Sequence, residues 1–174
     1  VKLKVELDRT VLPAGKAERA VLKISLDPEQ VVREKAKRPP VNLAIVLDRS
    51  GSMGGEKIVQ AKEAAIQAIR RMGAKDRISI VAYSSHAETI ASAQSAKNAE
   101  QLVDLVRQLQ AGGGTALYAG VNQGAAEVRK NLDGEYFNRI ILLSDGLANQ
   151  GPSTPADLIR LGRALVKEDI SVST

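Results

Sequence analysis

Five side chains at three places in this 174-residue sequence are of the types that bind a hard cation. Asp48, Ser50 and Ser52 alternate in the stretch VNLAIVLDRSGSM (41–53), around Gly51, which lets the loop turn sharply. Thr115 follows three consecutive glycines, and Asp145 follows directly on an apolar run and precedes Gly146. Two carboxylates and three hydroxyls are hard oxygen donors, suited to Mg²⁺ or Mn²⁺. Brought together, they make an octahedral oxygen site to which the protein gives only one or two charges, with water completing the shell. That fits Mg²⁺, which keeps several waters, better than a high-affinity Ca²⁺ cage. The bland alternative is that these residues are ordinary loop formers and caps. Ser52 could simply start the next helix, and Asp-Gly alone is most often a turn. The five positions have to act as a set.

The elements that must position them follow from hydrophobic periodicity. Val41 to Leu47 is almost continuously apolar, the pattern of a parallel strand buried on both faces, and it delivers Asp48 at its carboxyl end. Glu56 to Met72 is expected to be a helix with Ile58, Ala61, Ala65, Ile69 and Met72 on one stripe. Ile78 to Tyr83 reads as a second strand and Thr89 to Ala91 as a short edge strand. A helix from about Asn98 places Leu102, Leu105, Val106 and Leu109 inward and ends at the glycine run. A third helix carries Leu117, Val121, Ala125, Val128 and Leu132 on one stripe. Asn138 to Ser144 is a strand, Pro155 opens a helix bearing Leu158, Leu161 and Leu165, and Ile170 to Thr174 starts a further strand. Strands alternating with helices imply an α/β fold, a doubly wound and mostly parallel sheet with helices on both faces. In such sheets ligands bind at the carboxyl ends of the strands, where all three loops fall.

Asp48-x-Ser50-x-Ser52, Thr115 behind a glycine run and Asp145 in LLSDG resemble the metal-ion-dependent adhesion site of von Willebrand factor A-type domains. The resemblance extends from about Val41 to the end of the chain. It implies that Ser50 and Ser52 bind the metal through their hydroxyls. Thr115 does so directly when a ligand is engaged and through water otherwise, and Asp48 and Asp145 act through water or by orienting the serines. It also implies that a partner protein supplies a carboxylate to the last metal position, with Met53, Gly54 and Tyr118 flanking the metal. Mg²⁺ is the expected ion, with Mn²⁺ or Ca²⁺ as alternatives. A metal-dependent protein-binding module of a secreted or surface protein, bacterial in type, is the first functional expectation. An intracellular scaffold or adaptor in an ATP-driven, AAA⁺ or chelatase-like assembly is the second, and a structural domain with a vestigial site the third.

The remaining composition narrows the field. Net charge is +5, of which residues 1–40 carry +4 (ten Lys/Arg against six Asp/Glu). With four aromatic residues and no nucleic-acid motif, a nucleic-acid interface is not indicated. No apolar run is long enough to cross a membrane, and the absence of cysteine excludes thiolate metal sites. Residues 51–57, GSMGGEK, lack the Gly-Lys-Ser/Thr of a phosphate loop. The Ser52 surroundings lack the spacing of a hydrolase elbow, and His86 is the sole histidine. A phosphoryl transferase of the two-aspartate type needs an aspartate where Ser50 stands. No enzyme is expected.

Residues 1–32 read as β-strands of a flanking β domain, since Val1, Leu3, Val5 and Leu7, then Ala20, Leu22, Ile24 and Leu26, alternate with polar neighbours in the manner of half-buried strands. They form a hairpin turning near Pro13-Ala14-Gly15 and resemble part of an incomplete β-sandwich. Residues 33–40 read as a basic, proline-ended linker, and residues 41–174 as the A-type domain without its usual C-terminal elements. A missing segment or second chain is expected to complete the fold. A sheet ended at Thr174 leaves an unpaired edge and part of an apolar face, from which poor solubility or association is expected.

Overall fold

The computed structural model describes residues 2–7, 15, 19, 21–27, 38–146 and 148–174, which fall in two compact units, Val1–Lys37 and Arg38–Thr174. In the first, β1 (Lys2–Leu7) pairs antiparallel with β2 (Leu22–Asp27) in the register Leu3↔Leu26, Val5↔Ile24 and Leu7↔Leu22. The apolar alternation therefore places six side chains on one face. That face is open rather than half-buried, with all six residues more than half exposed. Among the described residues of this unit there is no second layer to cover it, and two strands alone cannot bury a face. Gly15 lies in a turn at φ +84°; Pro13, Ala14 and the charged run up to Lys37 lie outside the described residues.

The second unit holds a five-stranded sheet in the order β5-β4-β3-β6-β7. These are β3 (Val41–Asp48), β4 (Arg77–Tyr83), β5 (Ala87–Ser95), β6 (Phe137–Leu143) and β7 (Ile170–Ser173). β3 is central and parallel to both β4 and β6, β7 is parallel to β6, and β5 closes the far edge antiparallel to β4. The continuous apolar run of β3 is explained by burial on both faces. Leu43, Ile45 and Leu47 pack with α1 (Glu56–Arg70) and α2 (Ala99–Gln108). Ala44 and Val46 point to α3 (Leu117–Arg129) and α4 (Pro155–Lys167) on the other side. The fold is thus α/β with helices on both faces of a mostly parallel sheet.

Three local expectations change. The edge strand is much longer than Thr89–Ala91, because a buried carboxylate on α3 holds it. Glu127 accepts hydrogen bonds from Thr89 Oγ1 (3.2 Å), Ser92 Oγ (3.1 Å), the Ala93 amide (2.9 Å) and Lys130 Nζ (2.7 Å). No apolar periodicity advertises such an anchor. Leu132 leaves its stripe and is 41% exposed because α3 ends at Arg129. In α2 Val103, which the expected stripe left out, is fully buried beside Leu102 and Val106, while Leu105 packs half-buried against the same core.

The helix that carries the third hydroxyl loop sits unusually close to the sheet. A Cβ at Gly120 would stand 2.5 Å from the Tyr83 ring, and one at Gly124 would stand 2.5 Å from Val46 Cγ2. Glycine at these two positions lets α3 lie flush on β3 and β4 and fixes the depth of its N-terminus, where Thr115 is found. At the opposite end of β3, Asp76 accepts from the amides of Val41 (2.9 Å) and Gly73 (2.5 Å) and from Arg38 (3.0 Å at Oδ1), pinning the strand's start.

Candidate metal centre

Asp48 ends β3 fully buried, and three donors converge on its carboxylate. Oδ1 accepts from the Ser50 amide (2.8 Å), and Oδ2 from Tyr83 Oη (3.0 Å) and Ser144 Oγ (2.8 Å). The first bond is an Asx-type turn that starts the loop locally. The other two tie the ends of β4 and β6 to β3. Burial pushes the Tyr83 phenol well above the ordinary tyrosine range, and the Asp48 carboxylate acts in the same direction, so Tyr83 is a neutral donor. Both oxygens of Asp48 are thereby engaged by donors from its own turn and from the ends of β4 and β6.

Beyond Asp48 the chain makes a single 3₁₀ turn, Gly51–Met53. Ser50 Oγ and Ser52 Oγ stand 3.1 Å apart, with Ser50 buried and Ser52 exposed. Backbone bonds stitch this turn to the glycine loop: Gly51 N–H to Gly113 O (2.9 Å) and Gly112 N–H to Arg49 O (2.7 Å). Gly113 needs to be glycine, since its φ is +86° and a Cβ would lie 3.1 Å from Ser85 Oγ. Thr115, 2% exposed, is placed by its backbone. Its amide donates to Asn149 Oδ1 (2.8 Å), and its carbonyl accepts from the amides of Asn149 (3.1 Å) and Gln150 (3.3 Å). The loop after β6 is thus locked to the loop before α3.

Asp145 completes the set. Lys57, in the first turn of α1, places its ammonium 2.8 Å from Asp145 Oδ2. This ion pair, and after it the Ser52 hydroxyl, hold the Asp145 carboxyl below the usual carboxylate range against the opposing effect of burial. The other oxygen, Oδ1, is buried with no hydrogen-bond partner, and it alone has that status among the described residues. A buried, anionic oxygen without a donor is costly. It is the lone pair a cation would satisfy. The donor set fits a hard divalent ion on that ground. Among the described residues no group of three His, Cys, Asp or Glu side chains is arranged to hold a metal ion, so hydroxyls and water would have to supplement the carboxylates.

The outlying positions differ among themselves. Met53 is buried and packs in the core beneath α1, because the 3₁₀ turn rotates it inward, so its side chain is not offered at the rim. Gly54 is exposed and Tyr118 half-buried. The sequence pattern did not single out Tyr83, Ser144, Asn149 or Lys57. A tyrosine ending a strand that is otherwise wholly buried was the one available signal, since its hydroxyl needs a partner there. A cavity of about 480 Å³ opens beside Asp145 between α3, α4 and the edge strand β7, walled by Leu117, Val121, Leu142, Leu158 and Leu161.

Residues 42–174 match the family model of the von Willebrand factor type A domain. The chain is 32% identical over 138 residues to an uncharacterized protein of Synechocystis, covering 79% of this chain and 32% of that protein. Among solved structures it is similar to a von Willebrand factor type A protein from Catenulispora acidiphila (26% identity, TM-score 0.66, 76% of this chain and 32% of that one). It is similar also to the vWF domain of the type V pili tip protein Mfa5 from Porphyromonas gingivalis (25% identity, TM-score 0.57, 67% and 43%). The chain therefore spans about a third of the Synechocystis relative. With the loops after β3 and β6 both bonded to the glycine loop between α2 and α3, and three quarters of its residues matched, this chain belongs to the von Willebrand factor type A domain family.

Proposed function

We propose that this chain is a metal-dependent protein-binding module. Ser50, Ser52 and Thr115 supply hydroxyls to a divalent cation, with Asp48 and Asp145 orienting the hydroxyls and balancing charge, and the ligand is a carboxylate on a partner protein. The observation that carries the reading is the orphaned Oδ1 of Asp145, a carboxylate faced by the Ser52 hydroxyl of the Ser50–Ser52 pair. When bound, a hard ion such as Mg²⁺ supplies a positive centre that the protein only weakly neutralises, and so attracts an incoming anion. The chain's own residues do the rest. Asp48 holds the Ser50 amide, and Tyr83 and Ser144 hold Asp48. The Gly113 carbonyl ties the glycine loop to the serine turn, and Asn149 holds the Thr115 backbone. Gly54 is exposed and Tyr118 half-buried, which leaves both open to a partner. The reading as a recognition site rests on the engagement of its acidic groups: both Asp48 oxygens accept hydrogen bonds, and Asp145 is paired with Lys57. A surface setting is supported by the likeness to a pilus tip protein.

Thermal unfolding with Mg²⁺, Mn²⁺ and EDTA tests the site. An ion at a hundredfold its Kd stabilises by about 2.7 kcal/mol, which for a unit of this size raises the midpoint by roughly 5–10 °C. That rise is expected in the parent and absent in Ser50→Ala/Asp145→Ala. A parent whose midpoint is the same in Mn²⁺ and EDTA refutes the metal site.

A further inference from the structure

Lys57 is oddly placed. It is the second residue of α1, where a cation opposes the helix dipole, and its stem crosses to the loop after β6 to reach Asp145. With Asp48 and Asp145 it leaves the five-residue donor set one net negative charge from the side chains that touch it. We propose, resting on the metal-binding reading above, that Lys57 is a built-in counter-charge of the site, holding Asp145 in place of the metal and lowering affinity for a divalent ion that arrives without its carboxylate ligand.

Three observations converge on this. The ammonium is bonded to one Asp145 oxygen while the other, Oδ1, is left buried and unpartnered, so the carboxylate is only half satisfied by the lysine. The Lys57 side chain is 57% exposed against 14% for Asp145, so the lysine can swing into water while the carboxylate stays. The other cation near the turn, Arg49, has a separate acidic neighbour, Glu88, at 4.0 Å. A divalent ion drawing on Asp145 therefore meets a positive charge one carboxylate away, and repulsion between them weakens binding of the ion alone. A partner's carboxylate reverses the sign. It adds the missing negative charge, and Lys57 then attracts the same anion that the metal attracts. Metal and ligand become mutually dependent, each raising the affinity of the other by the same factor.

The test is calorimetric titration of Mn²⁺ into the parent, Lys57→Met, Lys57→Arg and Ser50→Ala. Lys57→Met keeps much of the stem and removes the charge, and it is expected to bind Mn²⁺ at least about tenfold more tightly, since a unit charge at this range is worth that much even when screened by solvent. Lys57→Arg is expected to remain near the parent. Saturating acetate is expected to tighten Mn²⁺ binding more in the parent than in Lys57→Met. Equal or weaker Mn²⁺ binding by Lys57→Met, with the parent binding and Ser50→Ala not, overturns the counter-charge role and leaves the metal site standing. Failure of both the parent and Lys57→Met to bind Mn²⁺ overturns the site and this proposal with it.

Discussion

Replacing Gly124 by alanine sets two well-calibrated effects against each other. Gly124 lies in the middle of α3, where alanine is favoured over glycine by roughly 0.8–1 kcal/mol. Against this, the new methyl would stand 2.5 Å from Val46 Cγ2, with Ala44 Cβ at 3.6 Å and Ile140 Cγ2 at 3.8 Å. Carbon atoms in contact prefer about 3.5–4.0 Å, so roughly 1 Å of movement is demanded. Val46 is fully buried in the central strand and β-branched, and so has little rotamer freedom to yield. Overpacking of this kind costs about 1–3 kcal/mol. The clash wins, and a net loss of roughly 0.5–2 kcal/mol is expected in urea unfolding followed by far-ultraviolet circular dichroism. The companion variant is Val46→Ala, which removes the opposing methyl. In the Gly124→Ala/Val46→Ala double variant the combined loss is expected to be smaller than the sum of the single losses by about 1 kcal/mol, as contacting residues couple. A Gly124→Ala protein as stable as the parent, or strict additivity in the double variant, would refute the claim that α3 is seated by this close approach.

Two further outcomes are expected. Burial would raise the Asp76 carboxyl, but the Arg38 hydrogen bond and the Val41 and Gly73 amides outweigh it and hold Asp76 below the usual range. Its contribution is therefore present above the unfolded carboxylate value and is lost as pH falls through the lower folded one, so an Asp76→Asn protein should show a shallower fall in unfolding midpoint on acidification below about pH 4; an identical slope in parent and variant would contradict this. Tyr83→Phe removes one of the two donors to Asp48 Oδ2 without changing the packing of the ring, and should lower stability by about 1–2 kcal/mol in urea titration, whereas an unchanged midpoint would mean that the bond is not formed in solution.

What the sequence made legible, and what it hid, divides along physical lines. The sheet and its helices were readable because burial on two faces leaves a periodic trace: the β3 run and the Ile58-Ala61-Ala65-Ile69 stripe each reflect a surface removed from water. The candidate donor positions stood out in the sequence because their pattern is local, an Asx turn after β3 and a glycine run before α3. Glu127's grip on β5 was hidden, since one carboxylate on a helix facing hydroxyls of a distant strand leaves no period. The open apolar face of β1 and β2 was hidden for a related reason. Alternation specifies which side chains share a face, but whether anything covers that face depends on contacts distant in sequence. The ion pair between Lys57 and Asp145 spans 88 positions and is carried by residue types that usually sit in water.

The hidden contacts are the ones that turn a motif into a site. Asp48 contributes no free oxygen; its part is to bind the Ser50 amide while receiving Tyr83 from β4 and Ser144 from the end of β6. Three strand ends therefore share one buried carboxylate, and a shift of the serine turn must be felt by both neighbouring strands. The glycine loop is tied to the same turn through Gly51 and Arg49, and to the loop after β6 through Asn149. A ligand that draws Ser50, Ser52, Thr115 and Asp145 towards one point thus acts on a connected frame. Asp48, Ser50 and Thr115 are all at least 98% buried, so the parts of that frame free to give are the exposed Ser52 and the Lys57 arm. On the proposed reading, selectivity for a ligand bearing a carboxylate would follow: an anion would satisfy a bound metal and Lys57 together, whereas a neutral ligand would leave the lysine repelled and Asp145 contested.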